Sequence, residues 1–221
     1  MGWGQRILRW LAALALLPVD VGMTWALALV VRDSVGALHF WVPLSLGIAL
    51  WLLVYNTLPR PMWLYVFGHE LTHALCAWCF GAKVQGFRVG RGSGKVRVSK
   101  SNTLIALGPY FLPIYAILWT LASLGVRIWL GRPDWLLPVF HVGLGFTYAF
   151  HVTMTAVILR VRQPDLVGEG FLFSAVVIWF GNVLVPLIAL PALGAVGEVP
   201  EALRLAAWKT IDVYRLLGRA W

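Results

Sequence analysis

Six apolar runs, each about as long as the hydrocarbon of a bilayer is thick, limit this 221-residue sequence to a small set of folds. They cover roughly residues 7–31, 36–58, 61–81, 103–125, 135–159 and 170–194. A backbone inside lipid must satisfy its own N–H and C=O groups, so runs of this length have to be helical. Hydrophobic residues make up 60% of the chain and charged residues 12%, about half the charged share of a soluble domain. A soluble fold of this size has no interior large enough for that surface. The expectation is an all-α polytopic membrane protein of about six transmembrane helices, a single integral membrane domain over residues 1–221. Trp and Tyr recur near the ends of the runs, where interfacial anchors belong. In the first run, Arg6 and Arg9 precede LAALALL, Pro18 and Asp20 interrupt, and GMTWALALVV continues. That pattern reads as an uncleaved span with a break near Pro18.

The net charge of +9 sits between the runs. It therefore points to the lipid bilayer and its anionic headgroups, with no nucleic-acid partner. Spans alternate sides, and the 18 Lys and Arg residues divide nine and nine between the two faces, so charge does not set the orientation. Residues 82–102, AKVQGFRVGRGSGKVRVSKSN, form the longest polar connection. Phe87 and Val89 alternate with Arg88; Val96 and Val98 alternate with Lys95, Arg97 and Ser99; RGSG lies between. Period-two alternation about a glycine turn predicts a basic β-hairpin at the membrane surface. Residues 200–221 place Leu203, Ala206, Ala207, Ile211, Tyr214 and Leu217 near helical spacing among basic residues, the pattern of an interfacial amphipathic helix.

Within the third run stands FGHELTHAL, with His69, Glu70 and His73 inside five residues. Ionisable groups in a membrane segment mark functional sites by default. H-E-x-x-H puts two imidazoles on one helical face, where both reach one ion, and zinc suits such ligands. Glu70 lies about 100° round the helix from His69, at the rim of such a site, where a general base belongs. Five His and four Glu in this composition would produce the motif by chance only about 0.002 times. A catalytic zinc site ordinarily takes a third protein ligand. Asp165 and Glu169, in RQPDLVGEG, are the carboxylate candidates, because that connection faces the side on which the HELTH run ends. His73 lies about 12 Å below that surface, and Pro164 and Gly168 allow the backbone to turn inward. His141 and His151, in the fifth run, read as helix contacts, with second-shell or ligand roles as the alternative. Cys76 and Cys79 read as small packing residues, and Gly108–Pro109 as a close contact or kink.

GHELTHALCAWCFGAKV, the basic hairpin, LIALGPYFLP and QPD together resemble the site-2 protease family of intramembrane zinc metalloproteases, over roughly residues 61–182. The resemblance implies a three-helix core with a membrane-associated β-structure after the first helix. It matches His69 and His73 to the histidine ligands of one zinc ion per chain, Glu70 to the base and Asp165 to the aspartate ligand. It implies hydrolysis of peptide bonds in or near transmembrane helices of other membrane proteins, in a multi-pass cell-membrane protein whose hairpin faces the cytoplasm. The chain departs from the family at Asp165, which is followed by Leu166 instead of glycine, and upstream at Gln163, where an asparagine is usual. Asn102 and Asn182 are the substrate-binding candidates. The alternative is a metal-binding membrane protein without protease activity: a transporter, sensor or scaffold.

Overall fold

The structure, a computed structural model, describes residues 2–219. Met1, and residues 220 and 221 of the expected C-terminal helix, lie outside the described residues. The chain is mostly helical, 76%, with one small antiparallel sheet of two strands. It divides into two compact units, Leu38–Gln163 and a second made of residues 1–37 and 164–221.

The second unit contains α1 (Trp3–Ser34), α7 (Pro164–Glu169), α8 (Phe171–Ala192) and α9 (Val199–Arg219). The break expected near Pro18 does not occur: α1 runs through it without interruption. Proline forfeits one backbone hydrogen bond, whereas ending a helix within lipid would strand several polar groups. Thr24 donates to the Asp20 carbonyl at 2.6 Å and receives Trp179 Nε1 at 3.1 Å, which fastens α8 to α1. The amphipathic tail forms α9 as expected, and it packs along α1. A Cβ at Gly22 would stand 2.5 Å from the Thr210 backbone, and Tyr214 donates to the Ala15 carbonyl at 3.0 Å.

The Leu38–Gln163 unit contains α2 (Leu38–Thr57), α3 (Met62–Cys79), β1 (Val84–Val89), β2 (Gly94–Val98), α4 (Thr103–Leu107), a 3-10 turn at Gly108–Tyr110, α5 (Ile114–Trp129) and α6 (Leu136–Ile158). The hairpin has the expected form, with Phe87 opposite Val96 and Val89 opposite Gly94. Helices α4 and α5 meet at an 80° bend over Gly108–Pro113, where Pro109 and Pro113 donate no backbone hydrogen bonds. Trp51, Tyr65, Ala149, Phe150 and Met154 form a core joining α2, α3 and α6.

Helices α1, α2, α6 and α8 are long and apolar enough to cross a membrane, and the bent pair α4–α5 makes a fifth if taken as one span. This is the construction of a membrane protein. The third apolar run becomes α3, whose 18 residues hold the polar HELTH sequence.

Helices α2 and α6 approach through glycine. A Cβ at Gly47 would run into the Val142 carbonyl, and one at Gly145 into the Leu44 carbonyl. Between helices in lipid, such backbone contact supplies packing that the hydrophobic effect does not. Gly47→Val or Gly145→Val should each cost about 1–3 kcal/mol, read as a lower Tm in detergent with helical content retained in the surviving fold.

Candidate metal centre

The site begins with helical geometry. His69 and His73 are one turn apart on α3, and their ring centroids lie 4.8 Å apart. His73 Nδ1 is 2.7 Å from the Ile105 carbonyl oxygen. A carbonyl only accepts, so Nδ1 carries the proton and Nε2 keeps its lone pair for a metal. Ile105 is held in place by Asn102, the N-cap of α4, whose side-chain oxygen accepts from the Ile105 N–H at 2.8 Å. Asn102 thus supports a carbonyl behind a histidine. The tertiary path Asn102–Ile105–His73 links three sequence positions that a linear reading leaves apart.

Asp165 is the second residue of α7, directly after the chain leaves Gln163. His69 and His73 belong to the Leu38–Gln163 unit and Asp165 to the other. Two neutral imidazoles and a carboxylate fit zinc in donor type and number. Glu169, the other carboxylate candidate, is instead paired with Arg9 at 2.9 Å. Asn182 lies in α8, where its Nδ2 donates to the Ile178 carbonyl at 2.9 Å.

Glu70 is buried, 7% exposed, and the hairpin covers it. A Cβ on Gly94 would stand 2.5 Å from Glu70 Cγ, 2.6 Å from Oε1 and 2.8 Å from Val66. Only a residue without a side chain lets β2 lie this close to the carboxylate. The sequence marks Gly94 as part of a turn; its closeness to Glu70 depends on how the hairpin folds back, which the period-two pattern does not encode. Phe67 and Phe87 add an edge contact between α3 and β1, with centroids 6.0 Å apart.

The other flank of α3 was likewise hidden from the sequence. Tyr65, Gly68, His69 and Thr72 line a small cavity completed by Tyr115 and His151. Tyr110 sets its ring edge-on to His69, centroids 5.1 Å apart. Tyr115 donates to the Leu64 carbonyl at 2.6 Å, which fixes that wall. Cys76 meets Gly108, where a Cβ would lie 3.0 Å from its sulfur, as expected of a packing residue; Cys79 is exposed.

Fold and site together define a helical membrane protein with two histidines on one face of α3 and a buried carboxylate beside them. No protein-family model, curated protein or solved structure matches the chain.

Removing a ligand should abolish tight binding. In a zinc competition titration, His73→Ala should weaken affinity by at least about 100-fold, and Asn102→Ala by roughly tenfold through the loosened Ile105 carbonyl. Equal affinity in wild type and His73→Ala would exclude His73 as a ligand.

Proposed function

We propose that this protein is an intramembrane zinc metalloprotease, resembling the site-2 proteases, which hydrolyses peptide bonds in or near transmembrane helices of other membrane proteins. One observation carries the reading: two imidazoles on one face of α3 stand beside a buried carboxylate, Glu70, one residue along from the first histidine. A purely structural or storage site would have no use for that carboxylate.

His69 and His73, with Asp165 as the third ligand that the resemblance implies, would hold the ion, which when bound would supply Lewis acidity at a carbonyl and bring a water's pKa towards about 7. His73 keeps its Nδ1 proton on the Ile105 carbonyl, so its metal-facing nitrogen does not change tautomer. The Glu70 carboxylate takes the proton from the attacking water and passes it to the amide nitrogen of the departing strand. Gly94 of β2 lies close against that carboxylate.

A transmembrane helix hides its scissile carbonyl in its own hydrogen bonds, so a substrate must unwind first. The two-stranded hairpin leaves one edge of each strand available, and an unwound segment can extend it by strand addition. The same hairpin sits over Glu70, so the added strand arrives at the base. By the resemblance, the protein lies in the cell membrane with its hairpin on the cytoplasmic side.

With a model transmembrane helix in proteoliposomes, Glu70→Gln should lower cleavage by about 10²–10⁴-fold and leave about one zinc per chain by elemental analysis. A variant that cleaves normally would exclude Glu70 as base and favour a metal-binding protein without proteolysis. Gly94→Val should also reduce cleavage with zinc retained, because its side chain displaces the Glu70 carboxylate. A hairpin replaced by a polar linker should cut cleavage while zinc stays bound; undiminished cleavage would remove strand addition from the mechanism.

A further inference from the structure

The two flanks of α3 are furnished differently. Taking about 100° per residue from His69, Val66 and Glu70 fall on one side, at about +60° and +100°. Those are the residues that Gly94 covers. Tyr65, Thr72 and Gly68 fall on the other, at about −40°, −60° and −100°, and these line the cavity that His151 of α6 completes. His151 is 5% exposed, and its Nε2 is buried without a hydrogen-bond partner among the described residues. A buried imidazole nitrogen normally finds a partner, because leaving one unmet is costly. His151 lies on α6 and lines this cavity together with His69, which places it beside a candidate metal ligand. The cavity offers about 10 Å³ for the centre of a small polar group, close to what one oxygen-sized molecule needs.

We propose that His151 is the oxyanion donor of this site: as the Nε2–H tautomer it hydrogen-bonds the carbonyl oxygen of the scissile peptide as that oxygen becomes negative. The proposal rests on the protease reading above and deepens it. Hydrolysis of an amide needs a base on the side from which water attacks and a donor where the carbonyl oxygen swings. Glu70 and His151 occupy opposite flanks of His69, which is the arrangement the tetrahedral geometry asks for. No bond to His151 forms or breaks, and its Nε2–H proton stays on the ring throughout. Neither asparagine weighed from the sequence is needed for this role, since Asn102 caps α4 and Asn182 bonds within α8.

The test separates the donor from the ligands. Wild type, His151→Phe, which keeps the volume, and His151→Gln, which keeps a donor, are loaded with zinc. Each is titrated with zinc alone, with 1,10-phenanthroline, which needs only the metal, and with a peptide phosphonate whose P–O⁻ mimics the oxyanion. His151→Phe should bind zinc and phenanthroline within about twofold of wild type and the phosphonate at least tenfold more weakly. His151→Gln should recover part of that loss. On the model transmembrane helix, kcat should fall by about 10²–10³-fold in His151→Phe with KM little changed. Unchanged phosphonate affinity in His151→Phe overturns the donor role. Loss of zinc from that variant also overturns it, by making His151 part of the metal's support. A wild type that binds no zinc fails the protease reading itself, and the donor role falls with it.

Discussion

Three ionisable side chains on one turn of an otherwise apolar helix set the terms for everything around them. In a low-dielectric interior each must meet a polar partner, or its burial costs more than the packing returns. The surroundings of α3 follow from this demand. Ile105 presents a carbonyl to His73, Asn102 fixes Ile105, the hairpin folds over Glu70, and α6 brings His151 to the flank of His69. The helix itself is left with 18 residues, and its polar turn sets it apart from the four helices apolar enough to cross a membrane unaided.

Close backbone approach is the means by which these partners arrive. Glycine does the work at several contacts with different results. At Gly47 and Gly145 it lets α2 and α6 lie against each other, and α6 carries His151. At Gly94 it lets a strand rest on a carboxylate, and at Gly108 it lets the bend before α5 sit on Cys76. In a chain whose helices gain little from the hydrophobic effect inside lipid, contact at this range is what holds the walls of a small polar site in register. The same closeness makes the site sensitive: one added methyl group at Gly94 meets the Glu70 side chain itself.

The fold was legible in the sequence wherever a pattern is local. Apolar run length announced α1, α2, α6 and α8, and alternation around RGSG announced the hairpin, while its register, Phe87 opposite Val96, came only with the fold. The tail's spacing announced α9, though its packing along α1 was not visible. One local signal gave way to the environment. Pro18 marked a break, yet in lipid an unbroken helix that lacks one hydrogen bond is preferable to two exposed ends. In the run 103–125, Gly108–Pro109 signalled a close contact or kink, and the chain bends there by 80°.

By itself the sequence determined the HELTH turn. The spacing of His69 and His73, and the place of Glu70 beside them, follow from the period of the helix and require no fold. Asp165 could be named a candidate because it is one of few carboxylates near the right end of a run. Only the tertiary structure decided that Glu169, the other candidate, pairs with Arg9. It also decided the tautomer of His73, the cover over Glu70 and the position of His151. Those are contacts across 24 to 82 residues of chain, set by which helix faces meet. A helical or strand period reports which side of an element a residue occupies, and says nothing of what another element will place opposite it.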